Sequence, residues 1–314
     1  MSQDKKISVI VPCYDEEDVI NVCYERIVDV FNSIDELLEL IFINDGSTDE
    51  TVELIRGICQ QDDRVVLIDL SRNFGKEAAM SAGIDYMTGD AAIILDADLQ
   101  DPPEVIPVFI EQWKNGYDNI YGVRTKRDGE SWFKKKTAQH FYQILKKMSF
   151  VDIPQNAGDF RLLSRRAVDA IKELPERQRF MKGLFAWIGF NTAAVEYERH
   201  ARVAGETKWN YWNLWNFALE GITSFSTLPL RLASYIGISI SLISFIYAVF
   251  IFIRTLLYGT SVDGYASQMV VILFLGGLQL LFLGVIGEYL GRIFNETKDR
   301  PLYMTKEIIN PPRA

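Results

Sequence analysis

The sequence has few of the residues that build zinc sites and disulfide frameworks. Its 314 residues include three cysteines and two histidines, and no two cysteines have C-x-x-C spacing. So few histidines exclude a His-built zinc site, and an odd number of scattered cysteines fits a reducing cytosolic compartment. An excess of basic residues is also missing: the formal net charge is −9, which argues against a nucleic-acid partner.

Charged residues are nearly absent from two long stretches in the last third of the chain. Residues 232–253 carry no charge, and residues 268–290 carry one acid, Glu288. Each stretch is long enough to cross a bilayer as a helix, although a buried core helix is the alternative. The sequence predicts two transmembrane helices within 230–292, at about 230–255 and 268–290. Arg254 is the one basic residue between them, so the positive-inside rule places both termini, including the 293–314 tail, in the cytoplasm.

The first 125 residues alternate apolar strands with amphipathic helical stretches, and residues 126–206 are more polar and irregular. This alternation predicts an α/β domain over 1–206, with a mostly parallel sheet covered by helices on both faces. Strands are predicted at 6–14, 38–45, 65–71, 91–98, 119–123, 159–163 and 192–198, and helices at 16–34, from 47 or 48, 75–87, 103–115 and 131–149. Ligands of such sheets bind beyond the carboxyl ends of the strands. Residues 207–229, with tryptophans at helical spacing, predict an interfacial amphipathic helix, with a core helix as the alternative.

Two carboxylates follow the fourth predicted strand, in "AAIILDADLQDPPEV". Asp96 and Asp98 are two residues apart and would point the same way on a regular strand. Paired carboxylates repel each other, and a hard cation such as Mg²⁺ or Mn²⁺ compensates while leaving positions for a diphosphate. Gln100 adds a neutral oxygen nearby. The pattern therefore predicts a metal site formed by Asp96, Asp98 and Gln100, with acids in a polar loop as the alternative.

Another acidic residue, Asp45, ends the second predicted strand in "INDGSTDET". Gly46 suits a tight turn, and Ser47, Thr48 and Asp49 have the residue types that cap a helix. Asp45 is not needed for the cap, and its carboxylate can accept the N–H of a pyrimidine base.

Five stretches together resemble family 2 glycosyltransferases with the GT-A (Rossmann-like) fold: "VIVPCYDEED", "FINDGSTD", "SRNFGKEAAMSAG", "DADLQDPPE" and "GDFRLLS". "RNFGKE", "GDFRL", "RFMKG" and the terminal hairpin resemble the bacterial polyprenyl-phosphate (bactoprenol) glucosyltransferase branch, related to dolichol-phosphate mannose synthase. The likeness covers nearly the whole chain. One departure is Asp15, where the family often has Asn, which adds charge beside the donor base.

The resemblance implies a set of residues for each substrate. Those around the donor UDP-sugar would be Pro12, Tyr14, Glu16 and Asp45 at the uracil and ribose, Asp96, Asp98 and Gln100 at the metal, and Lys76, Arg202 and Lys208 at the phosphates. Those around the lipid phosphate would be Arg124, Arg127, Lys134, Lys135 and Lys136. For the lysine run, a solvated helix face and contact with anionic lipid are the alternatives.

The catalytic residues implied by the resemblance are Asp159, Asp98 and Arg161. Asp159, in "GDFRLLS", is the family's candidate base. A phosphate monoester has its second pKa near 6, so the acceptor is largely dianionic at neutral pH and needs little proton abstraction. Asp159 therefore either accepts a proton or orients the acceptor or Arg161, and the sequence leaves both open.

The resemblance implies inverting transfer of glucose from UDP-glucose to undecaprenyl phosphate at the cytoplasmic face of the bacterial inner membrane. It also implies a homo-oligomer, such as a tetramer. A polyprenyl or dolichyl mannosyltransferase, another sugar and a non-catalytic membrane scaffold are the alternatives. A processive polysaccharide synthase is disfavoured because its QxxRW motif is absent and two spans are too few for its channel.

Overall fold

The computed structural model of the chain describes residues 5–125, 157–177, 179–198, 228–258 and 264–312. Its strands are β1 (Lys6–Cys13), β2 (Leu37–Asn44), β3 (Val65–Leu70), β4 (Ala91–Ile94), β5 (Asn119–Arg124), β6 (Ala157–Ser164), β7 (Thr192–Tyr197) and β8 (Thr305–Ile309). Its α-helices are α1 (Ile20–Phe31), α2 (Thr51–Gln61), α3 (Lys76–Tyr86), α4 (Ile106–Lys114), α5 (Arg165–Lys172), α6 (Met181–Trp187), α7 (Leu228–Tyr258) and α8 (Tyr265–Thr297).

The strands form one sheet in the order β7-β5-β6-β4-β1-β2-β3-β8. Strands β4, β1, β2 and β3 run parallel, as do β5 and β7, whereas β6 is antiparallel to both its neighbours and β8 is antiparallel to β3. The predicted mostly parallel α/β fold is therefore confirmed. The antiparallel β6 matters for the site because its first residues lie at the edge where β4 ends.

Alternating residues of the central strands supply a separate apolar core on each face of the sheet. Val9 and Phe42 face the core beneath α1, α2 and α4, where the rings of Phe109 and Phe160 lie 4.6 Å apart. Ile10 faces the opposite core, beneath α3, α5 and α6. Helices on both faces explain why these strands are mostly apolar on both sides, since neither side of the sheet is exposed to water.

Strand β4 is shorter than predicted, ending at Ile94 instead of continuing to Asp98. The backbone N–H of Leu95 still donates to Ile10 O at 3.0 Å. The next parallel ladder bond would need an N–H from Pro12, which proline lacks. The expectation that Asp96 and Asp98 continue a regular strand is therefore wrong, and both lie in the loop beyond it.

Helix α2 also starts later than predicted, at Thr51, and its N-cap residue, Glu50, makes no side-chain cap hydrogen bond. Ser47 and Asp49 instead bind the loop after β1: Ser47 Oγ accepts from Asp15 N at 3.0 Å, and Asp49 Oδ2 accepts from Glu17 N at 3.1 Å. Asp49 Oδ1 also accepts from Thr51 N at 3.1 Å. The capping role assigned to Ser47 and Thr48 is therefore wrong, and the segment mainly joins two loops.

The C-terminal part forms two long helices, α7 and α8, of 31 and 33 residues. At 1.5 Å per residue each is about 45–50 Å long, which exceeds the roughly 30 Å hydrocarbon core of a bilayer. Within the described residues one stretch, Phe274–Thr297, is long and apolar enough to cross a membrane, and Leu232–Tyr247 is a shorter apolar stretch. Both helices expose large apolar side chains such as Phe245 and Leu280. The two-span topology stays a prediction.

The tail after α8 returns to the sheet, which the sequence reading did not foresee. Strand β8 pairs with β3, and Lys306 Nζ lies 3.0 Å from Oδ2 of Asp69, a buried carboxylate of β3. Asn310 donates its side-chain amide to Cys59 O at 2.8 Å and Val65 O at 3.1 Å. The tail thus covers an edge strand whose backbone would otherwise lack partners.

Candidate active site

Three predicted site residues from different parts of the chain meet where β4 ends. Ile94 of β4 pairs with Arg161 of β6, so the antiparallel β6 brings Asp159 level with Asp96. Lys76, the first residue of α3, lies between them: its Nζ is 2.6 Å from Asp96 Oδ1, 2.9 Å from Asp96 Oδ2 and 2.6 Å from Asp159 Oδ2. One ammonium therefore joins the candidate metal ligand to the candidate acceptor-side carboxylate.

The charges around Asp159 keep this carboxylate ionised. Burial raises its pKa, but the cations Lys76, Lys182 and Arg161 outweigh burial and hold the pKa well below its usual range. For Lys76, burial lowers the pKa, but Asp96 and Asp159 outweigh it and the pKa lies above its usual value. Asp159 Oδ1 is buried without a hydrogen-bond partner in the part of the chain that the structure describes. Such a carboxylate is a weak proton acceptor at neutral pH.

Two charged residues beside this cluster were missed in the sequence reading. Glu77 follows Lys76 and accepts from the backbone N–H of Met181 at 3.2 Å, at the start of α6. Burial and the nearby charge of Asp159 raise the pKa of Glu77 to about 8. Lys182, the next residue of α6, has its Nζ 3.9 Å from Asp159 Oδ1. The available signal was their presence in "RNFGKE" and "RFMKG", two stretches that carry the family resemblance.

Arg161 supports the site from inside the protein. It is 4 % exposed, its guanidinium lies 3.8 Å from the centre of the Phe185 ring, and its Nη2 donates to Gly158 O at 3.0 Å. Burial lowers its pKa to about 10, while the charge of Asp159 opposes that shift. This placement suits a cation that stabilises the Asp159 carboxylate rather than one exposed to a lipid phosphate.

Asp45 holds the loop that carries Lys76. Its Oδ1 accepts from the backbone N–H of Phe74 at 2.7 Å, and its Oδ2 accepts from Gly75 N at 2.9 Å. Burial raises the pKa of Asp45, and the two amide donors act against that shift. Gly46 turns with φ of +72°, and a Cβ there would lie 2.5 Å from the backbone of Arg72. Asp45 therefore has a structural role here, and its contact with a base stays a prediction.

The loop after β1 explains the departure at Asp15. Asp15 has φ of +52°, a left-handed conformation in which Asn and Asp are both enriched. Its Oδ1 accepts from Thr48 N at 2.8 Å. The residue thus joins the β1 and β2 loops, a role that either side chain can fill. Tyr14 is exposed beside it and Glu16 is partly buried in the same loop, while Pro12 is partly buried near the end of β1.

The metal ligands predicted for this edge supply some, but not all, of the oxygens that a divalent cation needs. Asp96 and Asp98 are both partly exposed beyond β4, and Asp98 Oδ1 accepts from the backbone N–H of Gln100 at 3.2 Å. Leu99, between Asp98 and Gln100, is buried and has φ of +55°, a conformation that costs a leucine about 1–2 kcal/mol. Within the described ranges no three acidic, histidine or cysteine side chains form a metal cluster. The two carboxylates need outside oxygens, which a diphosphate has, and the ammonium on Asp96 shows that this position accepts a cation.

The third carboxylate of the same loop, Asp101, is structural. It is 1 % exposed; its Oδ1 accepts from Tyr197 Oη at 2.5 Å, and its Oδ2 accepts from Arg124 Nη2 at 3.3 Å. A Cβ at Gly158 would lie 2.9 Å from Arg124 Nη2, so this glycine makes room for the guanidinium. Arg124, predicted to receive the lipid phosphate, is thus engaged with Asp101 and Tyr197. The other predicted contacts, Arg127, Lys134, Lys135, Lys136, Arg202 and Lys208, lie outside the described residues, as do the predicted helix 131–149 and most of 207–229.

A mixed sheet of this order, with an acidic loop beyond its fourth strand, has the architecture of the GT-A fold. The sequence profile described as Glycosyl transferase family 2 matches residues 8–172, and the profile described as GtrB C-terminal hairpin matches residues 228–293. The chain belongs to glycosyltransferase family 2.

Full-length relatives extend the likeness. The chain is 50% identical over 301 residues to the bactoprenol glucosyl transferase of Shigella phage SfX, which covers 96% of this chain and 99% of that one. It is 51% identical over 303 residues to an uncharacterized glycosyltransferase of Synechocystis, which covers 96% and 95% of the two chains. Glucosyl-3-phosphoglycerate synthase of Mycobacterium tuberculosis, solved with Mn²⁺, UDP-glucose and phosphoglyceric acid, is similar with a TM-score of 0.45 and 20% identity, covering 70% of this chain and 78% of that one.

Proposed function

We propose that this protein transfers glucose from UDP-glucose to a polyprenyl phosphate at the cytoplasmic membrane face, with inversion at the anomeric carbon. The observation that carries the proposal is the 50% identity to a bactoprenol glucosyl transferase along 96% of this chain. The aligned region includes both the catalytic domain and the hairpin, so the likeness extends to the part that would meet a lipid acceptor.

In the proposed reaction an oxygen of the lipid phosphate attacks the anomeric carbon of glucose. The new bond forms between this oxygen and carbon 1 as the bond from carbon 1 to the β-phosphate of UDP breaks, and UDP leaves with the electron pair. A divalent cation held by Asp96 and Asp98 would neutralise charge on the departing diphosphate.

Asp159 is proposed to position the acceptor rather than to remove a proton from it. Lys76 and Lys182 lower the proton affinity of Asp159, and a phosphate with its second pKa near 6 already carries an attacking oxygen at neutral pH. The two lysines supply positive charge that offsets repulsion between an ionised Asp159 and an anionic acceptor. The buried Arg161 supports this arrangement from inside the protein.

The test is a transfer assay with the purified full-length chain in lipid nanodiscs that contain undecaprenyl phosphate. A panel of UDP-glucose, UDP-galactose, UDP-GlcNAc and GDP-mannose is offered with Mg²⁺ or Mn²⁺, and Asp98→Asn is the matched control. The proposal predicts a β-linked glucosyl phosphate lipid from UDP-glucose alone. Transfer from GDP-mannose with none from UDP-glucose would favour the mannosyltransferase alternative.

A further inference from the structure

The ammonium of Lys76 lies on Asp96, where the proposed divalent cation would have to bind. Its ammonium contacts both oxygens of Asp96, at 2.6 and 2.9 Å, and one oxygen of Asp159, at 2.6 Å. The residue is the first of α3, and the loop before it is fixed by the two backbone bonds to Asp45. The backbone that leads to Lys76 is therefore fixed, and the ammonium itself is held by its charge partners.

A divalent cation on Asp96 would need the same oxygens. Mg²⁺ binds carboxylate oxygens at about 2.0–2.1 Å, and an ammonium in contact with the same carboxylate would lie within a few ångströms of the metal. Two cations so close repel each other strongly in a partly desolvated site. Metal and ammonium thus cannot share Asp96 as the structure has it.

We propose that Lys76 is a resident counter-ion that competes with the divalent cation for Asp96. Before the donor binds, the ammonium offsets the repulsion between Asp96 and Asp159; when the metal binds, the ammonium leaves Asp96 and keeps its bond to Asp159. This inference rests on the proposed metal site of the proposed function. It assigns Lys76 an effect on metal affinity, which a residue that only contacts the donor would not have.

The chain offers a matched control in Lys182. Its Nζ lies 3.9 Å from Asp159 Oδ1, so it places the same charge in the same site but borders Asp159 instead of Asp96. If only the total positive charge of the site mattered, removal of either lysine would tighten metal binding by a similar factor. Competition for Asp96 would show only on loss of Lys76.

The experiment measures Mn²⁺ affinity by electron paramagnetic resonance on the full-length chain in nanodiscs, without donor or lipid acceptor. Lys76→Met should bind Mn²⁺ at least about tenfold more tightly than the wild type, because a contacting positive charge is removed. Lys76→Arg should stay within about threefold, and so should Lys182→Met, whose charge is farther from Asp96. Lys76→Gln is the second neutral variant in case the methionine variant fails to fold, with folding judged by the apparent melting temperature.

The possible outcomes distinguish a failure of the proposed competition from a failure of the proposed metal site. Equal Mn²⁺ affinity in the wild type and both neutral variants would overturn the competition, and so would equal tightening in Lys182→Met. If the wild type binds no Mn²⁺ even with UDP present, the metal site of the proposed function fails first. Tightening confined to the neutral Lys76 variants supports the inference whatever their turnover.

Discussion

The buried hydrogen bond between Tyr197 and Asp101 gives the sharpest test of how the acidic loop is held. Tyr197→Phe removes the Oη that donates to Asp101 Oδ1 at 2.5 Å and accepts from Arg124 Nε at 3.3 Å. The ring remains, and so does its edge-on contact with Phe160, whose centroid lies 5.8 Å away. The variant therefore isolates the polar contact from the packing.

The magnitude follows from the charge and burial of Asp101. A hydrogen bond to a charged group contributes about 1.5–3 kcal/mol, and Asp101 is 1 % exposed, so water cannot replace the lost donor. We expect a loss of about 2 kcal/mol in the free energy of unfolding, which in a domain of this size lowers the melting temperature by roughly 4–8 °C.

The assay is tryptophan fluorescence of the full-length chain in detergent at one fixed scan rate, since the apparent melting temperature depends on scan rate when unfolding is irreversible. Tyr117→Phe is the control, because Tyr117 is 38% exposed. It should shift the apparent melting temperature by less than about 1 °C. Equal melting temperatures for Tyr197→Phe and the wild type would refute the structural role given to Asp101.

Three further predictions concern metal, topology and Asp159. Asp98→Asn should lower turnover by about 100-fold or more without changing the melting temperature, and EDTA should do the same to the wild type; full activity in either case would exclude the metal site. A cysteine introduced at Asp263 should react with a membrane-impermeant maleimide from outside intact cells, whereas one at the exposed Glu173 should react only after permeabilisation; the native cysteines are all buried, so background is low, and the reverse pattern would overturn the orientation. Asp159→Asn should lower single-turnover rates by a factor that stays constant from about pH 6 to 7, below the Glu77 pKa of about 8, since misplacement costs the same for every attacking phosphate; a deficit that shrinks as the pH rises would instead identify a base.

The sheet could be predicted from the sequence because both of its faces are buried. Strands such as "KISVIVPC" and "LLELIFIN" are mostly apolar on both faces, and the turns and helices between them are marked by glycine and acidic residues. The strand ends were less accurate. Where β4 ends depends on Pro12 in the neighbouring strand, and a pattern read along β4 alone does not contain that information.

The partners of the charged site residues could not be read from the sequence either. Asp96, Asp98 and Asp101 look alike as letters, yet Asp101 is buried against Tyr197, about 100 residues away, while Asp96 binds the ammonium of Lys76. Such pairings depend on which strands become neighbours, above all on β6 entering antiparallel beside β4. Residue type and spacing indicate that a site exists, and topology decides which carboxylate does what.

The strand after α8 shows how the C-terminal tail is tied to this topology. Where α8 ends, Glu296 accepts from the backbone N–H of Arg177 with both oxygens, at 3.1 Å each, and Arg177 forms an ion pair with Asp299. The tail then adds β8 to β3, and Met304 O accepts from the N–H of Ser71, the residue that begins the loop to Lys76. Because β3 leads directly into this loop, the chain leaving the hairpin is hydrogen-bonded to the segment that positions the ammonium. A five-residue strand with three polar positions carries little signal in a sequence, but here it supports one side of the candidate active site.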